Sequence, residues 1–181
     1  PEIFRETTEF KADIVEQRLR ELAFLNSGLE ILFLDERQGA TEAQRYYYKN
    51  GIDEFVKQLN RNKEPLHPKP IAFRKETREK LDDKDIEVHI EVVMQYNDSY
   101  NDQVLCYTNT IHNADGGAHL SGFRSALTRA INQYAKSNEL LKEKDPQITG
   151  DDVREGLTAV ISVKHSDPKF ESQTKVKLLS P

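Results

Sequence analysis

A chain of 181 residues, 36% hydrophobic and 31% charged, has room for one good-sized core, or one domain with an appendage. No apolar run reaches the ~18 residues that a membrane-spanning helix needs, and a net charge of −5 argues against a protein that coats nucleic acid over its whole surface, while leaving room for a local basic patch. The single cysteine, Cys106, excludes an internal disulfide framework and a CxxC metal site, so a cytoplasmic location is the default expectation. The opening PEIFRETTEF has neither an apolar signal core nor an initiating Met, and the chain is expected to be cut from something larger.

Apolar residues at Ile14, Val15, Leu19, Leu22 and Leu25, with Glu and Arg between them, predict a helix over 14–25 that stops at Asn26-Ser27-Gly28. Leu29–Leu34 reads as a strand, 35–43 as a polar turn containing Gly39, and Gln44–Tyr48 as the return strand of a hairpin. Asn50-Gly51 opens a second helix with Ile52, Phe55, Val56 and Leu59 on one face. Pro65, Pro68 and Pro70 stiffen the link to a short strand, Ile71–Phe73. The charged segment Arg74–Asp85 is read most simply as a solvated loop or hairpin tip.

Ile86–Tyr96 is the longest strand pattern, Asn97–Asp102 is turn chemistry, and Val104–Thr108 is the return strand. Cys106 falls inside that apolar run and is expected to be a buried, inert thiol. A polar loop, Asn109–His119, precedes a long helix over 120–141 with an apolar stripe of Phe123, Leu127, Ala130, Ile131 and Tyr134. Thr149 and Asp152 have capping-box spacing. Gly156–Val163 is an almost unbroken apolar run, as expected of a strand buried on both faces. The order predicts an α+β domain with helices packed on one face of a sheet.

Five histidines (His67, His89, His112, His119, His165) form no HxxxH or HExxH pair, so no metal site is expected. No GxSxG, Walker-type GxxxxGK[ST] or GxGxxG motif occurs. Asp115-Gly116-Gly117 reads as a tight turn into the long helix rather than a phosphate cradle. Arg124 and Arg129 on that helix are either an ordinary solvated face or a surface that meets a nucleic-acid backbone by charge. The most informative stretch is Asp167–Leu179. Gln173 and Lys175 stand two apart, beside Lys169 and Lys177, after Pro168 and Phe170, which anchor a loop to a core. An amide and an ammonium on a short loop can together hold an anionic oxygen; a solvated polar loop is the other reading.

The segments Arg18–Gly28, Tyr107–Asn132 and Thr149–Leu178 closely resemble the B subunits of bacterial type IIA DNA topoisomerases, the gyrases above all, with topoisomerase IV a near relative. The signatures GGxHxxGF (Gly116–Phe123), GDDxREGL (Gly150–Leu157) and DPxFxxQTK (Asp167–Lys175) occur in the family's order and spacing. The resemblance implies one transducer domain over residues 1–181, the second half of an ATPase region, with 1–10 as the tail of a preceding ATP-binding domain. It also implies a fold like domain 2 of ribosomal protein S-five. That fold has a mixed, largely antiparallel sheet and a left-handed βαβ crossover from Val104 through the long helix to Gly156–Val163, against the usual right-handed rule.

The resemblance further implies that Gln173 and Lys175 reach the γ-phosphate of ATP, with Lys175 in the catalytic role. ATP and its Mg would be held mainly by the preceding domain. Arg124 would face double-stranded DNA, and the partners would be DNA, the gyrase A-type subunit and the chain's own ATP-binding domain. The isolated chain would then be an inactive, monomeric component of an ATP-dependent isomerase, with no membrane association. Two alternatives stay open from the residues: a freestanding phosphate- or nucleic-acid-binding module, and a structural linker whose QTK loop is only a polar turn.

Overall fold

The computed structural model describes residues 9–39, 41–81, 84–142 and 144–180; most of the expected N-terminal tail over 1–10 lies outside them. Two units divide the chain, Pro1–Phe55 and Val56–Pro181.

In the first unit, α1 (Ala12–Leu25) buries Ala23, Phe24 and Leu25. Ile14, expected on its apolar face, is instead exposed. The side chain of Asn26 closes the helix by donating to the Leu22 carbonyl at 2.9 Å, and Gly28 follows at φ 82°, a value that favours glycine. β1 (Glu30–Phe33) and β2 (Gln44–Tyr47) form the expected antiparallel hairpin, with Glu30 opposite Tyr47. Part of the connecting turn is a 3₁₀ turn, Glu36–Gln38, capped by the Asp35 carboxylate. The Phe24 ring stacks on Tyr48 at 3.6 Å and on Phe55 at 4.7 Å between centroids, so an aromatic stack is a main part of this small core. The boundary between the units falls within α2 (Ile52–Leu59).

The second unit is built on a five-stranded sheet in the order β3-β4-β7-β5-β6. β3 (Ile71–Leu81) pairs along its whole length with β4 (Lys84–Tyr96), which corrects the reading of Arg74–Asp85 as a loop or tip. Its charges are cross-strand partners: Arg74 stands opposite Glu91 and Arg78 opposite Glu87. The first pair is joined at 2.6 Å and the second at 3.0 Å. A period-two alternation that alternates charge with charge carries no apolar signal, yet opposite-charge pairs support a ladder as apolar ones do.

β7 (Leu157–His165) lies at the centre, antiparallel to β4 and parallel to β5 (Gln103–Thr108). It is buried at every position but Lys164, as its apolar run predicts. The parallel pair β5–β7 is joined through α3 (Ala118–Ser137) and α4 (Gly150–Arg154), the expected βαβ unit. Leu120, Phe123 and Leu127 of α3 pack on Val92, Met94, Ala159 and Ile161 on one sheet face. On the other face the alternate residues are mixed: Val93, Tyr107 and Val160 are buried there beside Gln95, Thr158 and Ser162. Asn60 donates to Gln95 at 3.0 Å, Asn97 to Thr158 at 3.1 Å and Lys63 to Thr158 at 3.3 Å, so these buried polar groups are partnered.

α3 ends at Ser137, four residues before the expected end, because Glu139 takes φ 57° and turns the chain out of the helix. Tyr134, expected in the apolar stripe, is exposed, and the buried position in that turn is Ala135. The capping box at Thr149 is complete: its hydroxyl accepts from the Asp152 N–H at 3.2 Å, and the Asp152 carboxylate accepts from the Thr149 N–H at 2.8 Å. β6 (Ile111–His112) pairs back on β5 through a two-residue turn, Asn109-Thr110. Both turn residues have positive φ, 47° and 68°, the geometry that matches strand twist in a two-residue hairpin. The polar loop of the sequence reading therefore contains a strand.

Candidate functional site

The loop that carries Gln173 and Lys175 continues directly from β7. Asp167 is held by an ion pair with Lys84 at 2.9 Å, and the hydrogen bond from that lysine pulls its carboxyl below the usual carboxylate range. From there the chain runs out and back on itself. Glu171 N–H donates to the Lys177 carbonyl at 3.1 Å and Leu179 N–H to the Lys169 carbonyl at 2.8 Å, and the Ser180 hydroxyl accepts from Lys169 N–H at 2.8 Å. These bonds close a narrow stem whose tip is Ser172–Val176. At the tip, Lys175 N–H donates to the Ser172 carbonyl at 3.1 Å, the i to i+3 bond of a β-turn. Gln173, Thr174 and Lys175 are exposed. The Lys175 ammonium lies 5.8 Å from the centroid of the Phe170 ring, within cation–π range. Lys177 is paired with Glu171 at 3.0 Å, which leaves Lys175 as the better placed of the two for an outside anion.

The inner flank of the loop is sewn to the start of α3. Asp115 N–H donates to the Val176 carbonyl, Leu178 N–H to the Gly116 carbonyl and Ala118 N–H to the Leu178 carbonyl, each at 3.0 Å. Gly117 makes this approach possible. Its φ is 137°, and a Cβ there would stand 2.2 Å from the Leu178 carbonyl oxygen, so only glycine fits. Asp115-Gly116-Gly117 is thus a turn into the helix, as its sequence suggests, and also the docking strip for the loop.

Two further residues support the tip. Thr108 and Asn113 are both almost fully buried. The Thr108 hydroxyl donates to Asn113 Oδ1 at 2.6 Å, and Asn113 Nδ2 donates to the Lys175 carbonyl at 2.7 Å. Lys175 itself has φ 59°, a left-handed conformation that costs a non-glycine residue about 1 kcal/mol or more. Neither supporting residue could be read from the sequence, where Thr108 is one residue of a strand and Asn113 one polar residue of a loop.

Arg124 belongs to a different constellation. With Arg129, Lys136 and Arg154 it lines a cleft of about 680 Å³ on α3 and α4. Asp102 is shared between Arg124 at 3.4 Å and Arg154 at 3.5 Å. Cys106 is buried and its thiol is pushed up to about 12 by burial, so it is no nucleophile. His119 lies in an apolar cavity of about 430 Å³ beside Met94, Phe123 and Ile161. Neither ring nitrogen has a hydrogen-bond partner, and burial pushes the ring down to about 4. Among the described residues no group of three or more His, Cys, Asp or Glu could hold a metal ion, and no helix is long and apolar enough to cross a membrane.

The fold, a mixed sheet with a crossover helix, is shared with solved ATPase regions of gyrase B and topoisomerase II. The crystal structure of the 43K ATPase domain of Thermus thermophilus gyrase B, in complex with an aminocoumarin, matches with a TM-score of 0.79 at 41% identity, over 100% of this chain and 46% of that one. The gyrase B protein of Myxococcus xanthus shares the fold, with a TM-score of 0.80 at 23% identity over 97% of this chain and 46% of that one.

The family model described as DNA gyrase B matches residues 51–181, and the chain belongs to that family. The DNA gyrase B protein of Enterococcus faecalis is 48% identical over 178 residues, and that of Streptococcus pneumoniae serotype 4 is 49% identical over 178 residues. Each alignment covers 98% of this chain and 26% of the relative, so the chain spans about a quarter of the length of these curated relatives.

Proposed function

We propose that the chain is the transducer segment of an ATP-dependent type II DNA topoisomerase of the gyrase kind. In this reading it senses the γ-phosphate of ATP through Gln173 and Lys175 and couples ATP binding and hydrolysis to closure of a gate and passage of a DNA duplex. The observation that carries this reading is the presentation of Lys175. Its ammonium is exposed at the tip of a loop whose backbone is tied down along one whole flank. A cation that only decorated a surface would need no such fixing. The share of each solved gyrase chain that is matched, 46% for both Thermus thermophilus and Myxococcus xanthus, suits a segment that completes an ATPase region rather than forming one alone.

The tip fits an anionic ligand by its donor set: a primary amide with two N–H groups and an ammonium with three, neither taken up by a carboxylate in the described structure. ATP with Mg, held mainly by a preceding domain, would supply the phosphoryl group and its charge. Lys175 would compensate charge on the terminal phosphate oxygens, and the Gln173 amide would fix their direction. Both contacts exist only when the tip is seated against the nucleotide, and a contact made in one state alone is what lets a ligand shift an equilibrium. Loss of the terminal phosphate removes both contacts and frees the body behind the loop to swing.

Arg124, with Arg129, Lys136 and Arg154, presents a concave basic surface that suits a DNA backbone by charge. Double-stranded DNA, a gyrase A-type subunit and the chain's own ATP-binding domain are the partners of this reading, in the cytoplasm. The deciding experiment is Lys175→Ala in the full-length protein assembled with its A-type partner. ATP turnover falls on the order of 100-fold or more while the fold is kept. Unchanged turnover would leave the loop a polar turn and sink the reading.

A further inference from the structure

Among the described residues, Lys175 is one of four non-glycine residues at positive φ, with Asn109, Thr110 and Glu139. Asn109 and Thr110 form a hairpin turn, and Glu139 follows the end of α3. Lys175 is the one that also carries a candidate functional side chain. A residue persists in such a conformation only where its surroundings determine it. What determines it is a relay from the sheet interior, since the buried Thr108 hydroxyl and the buried Asn113 amide end on the Lys175 carbonyl.

We propose that Asn113 is a positioning residue for Lys175, and that Thr108 sets the direction in which Asn113 works; this rests on the reading of Lys175 as the γ-phosphate contact. The chemistry is that of an amide with two unlike ends. Thr108 Oγ1 donates at 2.6 Å, and a donated proton can be taken only by the amide oxygen. With Oδ1 held, Nδ2 must point the other way, at the Lys175 carbonyl 2.7 Å off. Asn113 is itself anchored through its backbone, its N–H donating to the Cys106 carbonyl at 2.8 Å. Both anchors therefore lie on β5, the strand that pairs parallel with β7.

The carbonyl is the right handle for this purpose. Holding the Lys175 carbonyl fixes the peptide plane that follows Lys175, while Lys175 N–H is fixed by the Ser172 carbonyl at 3.1 Å. With both flanking peptide groups held, φ and ψ of Lys175 are set, and so is the direction in which its Cα–Cβ bond leaves the loop. The ammonium remains mobile about its four-carbon stem but starts from a fixed base. Without Asn113, Lys175 is free to relax toward negative φ, and its side chain leaves the loop in another direction.

The variant that separates positioning from packing is Asn113→Asp. A carboxylate still accepts from Thr108 but has no N–H for the Lys175 carbonyl. In the full-length protein assembled with its A-type partner on DNA, kcat for ATP is expected to fall on the order of 10-fold to 100-fold. KM should change less than kcat, since charge compensation by the lysine matters most as the terminal phosphoryl group is displaced. In a Lys175→Ala background, Asn113→Asp should cause no further loss, because its effect passes through the lysine.

Three results overturn the inference while leaving the lysine reading in place. They are full turnover in Asn113→Asp when Lys175→Ala is impaired, an undiminished Asn113→Asp effect in the Lys175→Ala background, and a loss confined to KM. Normal turnover in Lys175→Ala itself overturns the reading of the lysine, and the role of Asn113 with it. Should Asn113→Asp fail to fold, the Thr108 pair decides. Thr108→Ser keeps the hydroxyl and should retain turnover, whereas Thr108→Val keeps the shape and should lose several-fold. Equal turnover in the two overturns the relay.

Discussion

Gly117 and Leu178 meet backbone to backbone: a Cβ at Gly117 would stand 2.2 Å from the Leu178 carbonyl oxygen and 2.6 Å from its nitrogen. The atoms in the way are main chain and cannot swing aside as a side chain could. Gly117→Ala must therefore either push the loop off the helix start or force a φ of 137° on an alanine. The expected cost is about 3 kcal/mol or more, read from urea unfolding. Gly116→Ala is the control. Its nearest obstacle is the Leu120 Cδ2, at 2.4 Å, the far end of a flexible side chain, and the cost should stay at ~1–2 kcal/mol for the left-handed backbone. Equal losses in the two variants would refute the backbone seam as the reason for glycine at 117.

His119 makes stability depend on pH. Its folded value is pushed down to about 4 from the ordinary 6.5 because burial disfavours the charged ring. The unfolded chain takes up a proton as the pH falls below 6.5 and the folded chain does not, so this contribution to stability is full above 6.5, declines as the pH falls and levels off below about 4. In His119→Leu that part of the decline is expected to vanish. The leucine places an apolar group in an apolar cavity and leaves no unpartnered ring nitrogen. Parallel pH–stability curves for the two proteins between 6.5 and 4 would count against a neutral buried ring.

The capping box at Thr149 secures the short helix α4, which leads into the buried strand β7. Thr149→Ala removes the acceptor of the Asp152 N–H and a donor to the Asp152 carboxylate. A stability loss on the order of 1 kcal/mol is expected, with Thr149→Ser close to the parent protein. The Asp152 carboxyl, held low chiefly by the Thr149 hydroxyl, should also move back up toward the ordinary aspartate range in Thr149→Ala, a shift that carbon-detected NMR titration would register. No movement would mean that the hydroxyl does not serve the carboxylate.

What could be read from the sequence was what is local in it. The apolar run of β7, the capping box at Thr149 and the exposed loop at Gln173–Lys175 each lie within a few consecutive residues, so they stood out there. The β3–β4 hairpin was misread because its partners are charged. Arg78 finds Glu87 nine residues later, and no apolar periodicity marks the stretch from Arg74 to Asp85. Tyr134 failed for a related reason, since an aromatic ring on a helix can lie over solvent while the small Ala135 takes the contact. The support of Lys175 was out of reach altogether. Asn113 and Lys175 are 62 residues apart, and only the parallel pairing of β5 with β7 brings them together. An asparagine in a polar loop has many commoner uses than fixing a distant carbonyl.

The seam between the loop and the start of α3 has one more consequence. Its three bonds, from Asp115, Ala118 and Leu178, donate in both directions across one line. Such a line breaks cooperatively: parting one bond exposes the next, and Leu178, almost fully buried, must enter water as it goes. Hydrogen exchange at these amides therefore reports one opening event, not three. The tip of the loop is thereby tied on one side to β7, from which the chain continues into it, and on the other to the first turn of α3.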